Sequence, residues 1–414
     1  MSVMDIYTSS AFLPRFPADH YRPKSQPWHI YDESSQTWNL LRPLGARTSC
    51  SSPPPALNGQ SSKQVKPVDS APSHNNRFRL ITWNIDCMIP YPTVRMSAGL
   101  KHLDEMVHSP PEPFEKDIPI IIMLQEMVAS DLEQIREAPW VRKSFIMSNI
   151  DTRGFEGLYS TISLIQARKL HDEMPTNSFP ESGGCDPSLW SIRDVFRVQW
   201  LSKFNRNGLF IDIEFPFNTA ALISNNEAGP PDNTTTTSSS SSSSSSPSTT
   251  ITASPPAANT RKPKKLRLCN THLESLPSQY PIRPDQVASA MTYLKQEGIN
   301  GSVLAGDMNA IQPSDRYIAE DNDLTDAYLE LGGKEESEEG HTWGYQSDER
   351  DMERFPPVRM DKVFYRGDLA IRELTRIGVD IMVEGQDLRD EMQQRGIPPY
   401  VTDHYGLMAE LEVL

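Results

Sequence analysis

Five apolar runs in this chain end abruptly in acids, amides or imidazoles. That repetition restricts its fold more than any bulk property does. The sharpest instance is Val303-Leu304-Ala305 running into Gly306-Asp307-Met308-Asn309. The pattern predicts a buried strand that stops and presents Asp307 and Asn309 at its end. Residues i and i+2 lie on the same side of an extended chain, so the carboxylate and the carboxamide can enter one site. A buried acid without a partner is costly. Taken alone, the run reads more readily as a core strand and a turn in which Asp and Asn cap their own backbone. The other four ends reverse that balance. Phe78 to Trp83 delivers Asn84 and Asp86, Ile118 to Leu124 delivers Glu126, Leu266 to Thr271 delivers His272, and Asp403-His404 precede a closing strand to Leu414.

One chemistry accounts for all five ends: a divalent-metal phosphodiesterase site at the mouth of a two-sheet sandwich. Hard oxygen ligands suit Mg²⁺, which takes one or two carboxylates and keeps several waters for a substrate phosphate. The four cysteines (Cys50, Cys87, Cys185, Cys269) are far apart and form no Cys-x-x-Cys or Cys/His cluster. That spacing argues against zinc and suits a reducing compartment. Phosphoester hydrolysis needs a water activated in line with the leaving group, and neutralised charge on the phosphoryl oxygens. His404 needs an orienting partner that its sequence neighbour Asp403 cannot easily supply, so a third residue is expected to provide it.

The chain of 414 residues is expected to hold one large domain, residues 76–414, behind a largely disordered Pro/Ser-rich tail, residues 1–75. Within the tail, residues 26–41 carry Trp28, Tyr31 and Trp38. They are expected to dock along the domain as an extended strap or to bind a protein partner. A Ser/Thr-rich stretch at about 225–262, with consecutive Ser from Ser238 to Ser246, is expected to be a disordered insertion. The basic run Arg261 to Arg267 reads as a solvated strand edge, with a nuclear-import signal or a phosphate-facing patch as alternatives. Helices are predicted over Thr93–His108, Ser130–Ala138 and Pro284–Lys295, with Ser130 as an N-cap and Glu133 closing a capping box. No signal-peptide pattern opens the sequence, and no run approaches the ~20 apolar residues of a membrane span. An intracellular monomer is therefore expected, nuclear or cytoplasmic, without membrane contact. A net charge of −15 keeps the surface as a whole from attracting nucleic acid. Any DNA or RNA contact must come from a local basic groove or a metal.

The motifs Thr82-Trp83-Asn84-Ile85-Asp86, Leu124-Gln125-Glu126, Thr271-His272-Leu273-Glu274-Ser275, Gly306-Asp307-Met308-Asn309, Thr342-Trp343, Arg359-Met360-Asp361-Lys362 and Thr402-Asp403-His404 occur in this order. Together they resemble the endonuclease/exonuclease/phosphatase superfamily, and within it the tyrosyl-DNA phosphodiesterase 2 branch. The Trp-Asn-Ile-Asp and Thr-His-Leu-Glu-Ser strings are the most specific pieces. The resemblance covers about residues 78–414 without the insertion. It implies an α/β fold, a four-layered α/β/β/α sandwich of two mixed β-sheets flanked by helices. It implies Mg²⁺, with Mn²⁺ as a substitute, held or organised by Glu126 and Asp86. Asp307 would orient and activate the attacking water. Asn84, Asn309 and His272 would bind phosphate oxygens, and His404 would stabilise developing charge with support from Asp403. Ser275 and Trp343 would line the channel for a DNA 5′ end, single-stranded there, whose phosphodiester to a tyrosine phenol is cleaved.

Two positions depart from the family pattern. Pro277 stands where an Arg usually follows Ser275 by two, and Ile311 where an Arg often follows Asn309 by two. Both arginines would have gripped DNA phosphate, and Arg283 and Arg316 are the nearby candidates to replace them. Their loss leaves open a related phosphoesterase acting on a lipid headgroup, nucleotide or RNA. A non-catalytic adaptor on the same fold is the remaining alternative.

Overall fold

The computed structural model describes residues 21–41, 76–116, 118–167, 190–215, 263–278 and 280–414. The Ser/Thr-rich insertion, most of the N-terminal tail and nearly all of the polar stretch 170–191 lie outside the described residues. Along the chain run β1 (Pro23–Ser25), β2 (Trp28–Asp32), β3 (Thr37–Leu41), β4 (Arg77–Asn84), α1 (Pro92–His108), β5 (Ile120–Met127), α2 (Ala129–Glu137) and α3 (Pro139–Ser144). There follow β6 (Phe145–Met147), β7 (Ser160–Gln166), β8 (Ser191–Gln199), β9 (Asn207–Phe215), β10 (Lys264–His272), α4 (Ile282–Leu294) and β11 (Gly301–Asp307). The last elements are β12 (Thr325–Asp326), α5 (Ala327–Glu330), α6 (Glu349–Arg354), β13 (Asp361–Gly367), β14 (Leu369–Ile377), α7 (Gln386–Gln394) and β15 (Gly406–Val413).

The strands form two mixed sheets, ordered β1-β8-β9-β10-β11-β13-β12 and β14-β15-β4-β5-β7-β6-β2-β3. The parallel pairs are β4 with β5 and β10 with β11, each joined across a helix, α1 or α4. The other pairings are antiparallel. Each parallel pair is buried on both faces, as such strands require. Three apolar cores fill the spaces between layers. Phe78, Leu80, Ile121, Met123, Leu266, Leu268, Val303 and Ala305 pack between the sheets. The alternate residues Ile81, Trp83, Ile122 and Leu124 meet Leu103 and Val107 of α1 and Leu132 and Ile135 of α2. On the opposite outer face, Cys269 and Leu304 meet Val287, Ala290, Met291 and Leu294 of α4. The result is the four-layered α/β/β/α sandwich.

The aromatic segment 26–41 is neither a strap nor a free peptide. Strands β2 and β3 form a hairpin that extends the eight-stranded sheet through β6, while β1 pairs with β8 of the other sheet. Trp28 and Tyr31 are buried, with exposures of 2% and 4%. The fold therefore takes in residues N-terminal to the expected boundary at 76. The basic run is also reassigned. Strand β10 lies between β9 and β11, so it is no sheet edge. Lys264 pairs with Asp368, and Lys265 and Arg267 pair with Asp212. Helix α2 begins earlier than expected, with Val128 as its N-cap. The side chain that reaches back to the Val128 N–H is Asp131, at 3.1 Å, not Glu133. Among the described residues, no helix is long and apolar enough to cross a membrane.

Candidate active site

The inward-facing stripe of each central strand turns from apolar to polar at one end of the sandwich. In β4 it runs Phe78-Leu80-Thr82-Asn84, in β5 Ile121-Met123-Gln125, in β10 Leu266-Leu268-Asn270-His272 and in β11 Val303-Ala305-Asp307. The last turn of this polar stripe is tied together across the sheets. Gln125 Nε2 donates to Thr82 Oγ1 at 2.9 Å and to Asn270 Oδ1 at 2.8 Å. Register then decides which functional groups meet, because Asp307 stands beside His272 of β10 and Asp361 of β13.

Asp307 is the centre of the constellation. Its Oδ2 receives Asn84 Nδ2 at 3.0 Å and Asn309 Nδ2 at 3.2 Å, and lies 3.2 Å from His272 Nε2. Its Oδ1 accepts the Asn309 N–H at 2.8 Å. Burial works against ionising this carboxyl. The imidazoles of His272 and His404 and these hydrogen bonds outweigh it and hold Asp307 well below the usual carboxylate range. The donors of Asn84, Asn309 and His272, expected to face phosphate, are thus directed at Asp307 here.

Arg206 fixes the His272 tautomer. Its Nη1 lies 2.8 Å from His272 Nδ1. A guanidinium can only donate, so Nδ1 is the acceptor and the ring proton sits on Nε2, facing Asp307. Burial, and then the Arg206 charge, hold the ring below its ordinary pKa, which keeps it neutral. Arg206 also donates from Nη2 to Ser275 Oγ and lies 3.5 Å from Glu126.

His404 has the opposite character. Its Nδ1 sits 2.8 Å from Asp361 Oδ2, and the ring is nearly fully buried. Burial would lower its pKa, but the carboxylates of Asp361, Asp403 and Asp307 raise it well above the ordinary value. His404 is therefore an imidazolium at neutral pH, with Nε2 turned towards Asn84 (3.4 Å) and Asp307 (3.8 Å). Burial also raises Asp361, to about 6, despite the attraction of His404. Thr342 Oγ1 accepts the Asp361 N–H, and Trp83 Nε1 donates to the His404 carbonyl. Trp343 Nε1 donates to Asp403 Oδ2 at 2.7 Å, so Trp343 holds the acid beside the histidine.

Asp86 and Glu126 lie next to this group. The Glu126 Oε2 accepts the Cys87 N–H at 3.0 Å. Burial pushes the Asp86 carboxyl well above its usual range, and the charges of Asp403 and Glu126 push it further. Glu126 by contrast lies below its usual range, because His272, the Arg206 charge and the Cys87 N–H outweigh its burial. A buried acid beside an ionised one is donor chemistry that suits a hard divalent cation. Asp86 and Glu126 thus fit a metal that takes two carboxylates and fills its remaining positions with water. Asp307, Asp361 and His404 form a tighter group, with one ligand atom from each within 4.8 Å of the others. The short His404–Asp361 hydrogen bond already occupies that group, and an imidazolium is no ligand. Asp86, Glu126 and Asn309 also share an unusual backbone, with φ of 58°, 60° and 45°. Left-handed conformations at non-glycine residues are strained and concentrate at functional sites.

Two residues central to this geometry carry no role in the sequence reading. Asp361 was visible as an acid on a strand, but only register brings it to His404. Arg206 sits in a tight turn, Asn205-Arg206-Asn207, whose sequence signals nothing beyond a turn. The candidate replacements for the missing arginines are otherwise engaged. Arg283 is buried and bonded to Asp315, Gln312 and the carbonyls of Glu274 and Leu276. Arg316 pairs with Glu336.

A sequence model of the Endonuclease/Exonuclease/phosphatase family matches residues 81–404. Among solved structures, the chain is similar to D. rerio TDP2 complexed with a single-strand DNA product, at a TM-score of 0.48 and 15% identity, covering 81% of this chain and 99% of that one. It is similar to TDP2 from C. elegans at a TM-score of 0.48 and 16% identity, covering 81% and 75% of the two chains. The human Nocturnin catalytic domain with a bound sulfate gives a TM-score of 0.43 and 14% identity, covering 84% and 97%. No curated protein matches the sequence.

Proposed function

This chain belongs to the endonuclease/exonuclease/phosphatase family, and from that premise we propose a Mg²⁺-dependent phosphodiesterase that hydrolyses 5′-phosphotyrosyl or related bonds at DNA ends, in DNA repair. The observation that carries this reading is the pairing of an ionised Asp307 with a protonated, Asp361-oriented His404 at one strand-end mouth. A carboxylate held so far below neutral is a weak base, so Asp307 serves chiefly to orient the attacking water. The imidazolium of His404 offers its Nε2 proton to charge developing on the phosphoryl oxygens. Asn84 and His272 keep Asp307 in place, and the second Nδ2 proton of Asn84 would serve a phosphate entering at the mouth. Asp86 and Glu126 would hold the metal, and a divalent cation there would neutralise charge on the phosphate. Ser275 and Trp343 flank the approach. A tyrosine phenol needs no protonation to leave, which suits a site with one acid.

A second reading keeps the chemistry and changes the substrate. Pro277 and Ile311 replace expected phosphate-gripping arginines, Arg283 and Arg316 are occupied, and the net charge is −15. These features favour a smaller phosphoester or RNA. A panel comparing a tyrosyl oligonucleotide, a nucleotide, a phosphoinositide and an RNA 3′ end, ranked by kcat/KM with Mg²⁺, decides. The tyrosyl oligonucleotide is expected to rank first. A best substrate without DNA would overturn the first reading and leave the hydrolysis standing.

A further inference from the structure

Glu274 lies two residues beyond His272, in the Thr-His-Leu-Glu-Ser string, and takes no part in the chemistry set out above. It is 2% exposed, and its carboxylate is committed to the neighbouring turn, residues 201–206. Oε2 accepts the Ser202 hydroxyl, and Oε1 and Oε2 accept the Lys203 N–H at 3.0 and 3.2 Å. The Ser202 oxygen in turn accepts the N–H groups of Phe204 at 2.9 Å and of Arg206 at 3.1 Å. One relay therefore runs from a buried acid through a hydroxyl to the main chain of Arg206. Helix α4 anchors the acid and the start of the turn alike. Gln286 Oε1 accepts the Glu274 N–H at 2.9 Å, and its Nε2 donates to the Leu201 carbonyl at 2.8 Å. The turn needs such holds, because Asn205 is left-handed, with φ of 57°, and local sequence does not set where the Arg206 side chain goes.

We propose that Glu274 is a positioning residue: through Ser202 it sets the turn that aims the Arg206 guanidinium at His272 Nδ1. A hydroxyl gives one proton and accepts two. With the carboxylate taking its proton, the Ser202 oxygen is free to accept both main-chain N–H groups. An isosteric amide fails in either orientation, because its NH₂ then faces the Lys203 N–H or the Ser202 proton. Ser202 places Phe204 together with Arg206, and the Arg206 guanidinium lies over the Phe204 ring, 5.5 Å from its centroid. The acid thus governs, at second hand, which nitrogen of His272 carries the proton that faces Asp307. The kinetic consequence rests on the hydrolysis proposed above, whereas the tautomer of His272 does not.

The test uses the full chain with ¹⁵N-labelled histidine. In the parent, the His272 signals, identified by their absence from His272→Gln, are expected to show an unprotonated Nδ1 and a protonated Nε2. Glu274→Gln is expected to lose that single tautomer and to lower kcat/KM by about ten-fold. Ser202→Ala breaks the relay from its other end and should do the same, so the result does not hang on one variant. Adding Glu274→Gln to Arg206→Met should lower kcat/KM by no more than about two-fold further, since both changes break one relay. A parent ring without that tautomer, or a tautomer that both single variants retain, would overturn the proposal. Losses that multiply in the double variant would do so too, because a turn cap unrelated to Arg206 behaves in that way. A tautomer lost in both single variants of a chain that hydrolyses no phosphodiester would leave Glu274 assigned and sink the proposed function instead.

Discussion

At the scale of single residues, two neighbouring acids sit in divergent environments. Asp307 collects four donor contacts, while Asp361 has one strong partner, the His404 ring. Environments that push two titratable groups apart mark a division of roles. Asp361→Asn removes the charge that keeps His404 protonated and oriented. We expect kcat to fall by about 10²- to 10³-fold with melting temperature nearly unchanged, as measured by steady-state kinetics and calorimetry. An Asp361→Asn enzyme with ordinary kcat would show that His404 needs no partner. Arg206→Met frees His272 Nδ1 and releases Ser275. A loss of about 10²-fold in kcat/KM is expected, because the ring can then turn its unprotonated nitrogen to Asp307. An Arg206→Met enzyme as active as the parent would show that the tautomer does not matter.

At the scale of elements, the sequence and the structure agree where periodicity is strong and part where register or backbone conformation decides. The strand ends at Asn84, Glu126, His272 and Asp307 were legible because apolar runs stop sharply there. Asp361 and Arg206 were not, since neither the pairing of β11 with β13 nor the direction of a turn is written in local sequence. The hairpin at residues 26–41 was visible as aromatics but not as strands, because exposed Thr37, Asn39 and Leu40 blur its alternation. Gly306 is a case where sequence and structure reinforce each other. Its φ is 141°, and a Cβ there would lie 1.8 Å from the Thr271 carbonyl oxygen of the neighbouring parallel strand. Gly306→Ala is expected to cost about 3 kcal/mol or more, read by urea unfolding, and to reduce soluble yield. The β5–α2 junction predicts a pH dependence. Burial raises Asp131 to about 6, and its Oδ1 has no partner. A folded pKa above the unfolded value near 4 means that stability is fully present below about pH 4 and is lost as pH rises through about 6. The loss amounts to at most about 3 kcal/mol by pH 7.5. Asp131→Asn should flatten that slope, and parallel stability–pH curves for the two proteins would contradict it.

At the scale of the whole molecule, two βαβ units, residues 77–127 and 264–307, supply two strand ends each to one mouth, and the chain between and after them completes the sandwich. The N-terminal strands join both sheets at their edges. Deleting residues 1–41 removes buried Trp28 and Tyr31 and should lower the melting temperature by something on the order of 10 °C. An unchanged melting temperature would show that these strands add nothing to the fold. The net charge of −15 places the burden of substrate attraction on the mouth itself, so activity on DNA should fall steeply with salt. The mouth is proposed to hydrolyse a phosphodiester with a divalent metal at Glu126 and Asp86. The most direct test is release of a 5′-phosphate end from a 5′-tyrosyl oligonucleotide with Mg²⁺, comparing the parent chain with Glu126→Gln. The parent is expected to release it, with activity abolished by chelator and reduced by about 10²-fold or more in the variant. A parent chain that releases nothing, or a Glu126→Gln chain that matches it, would rule out this metal-dependent hydrolysis.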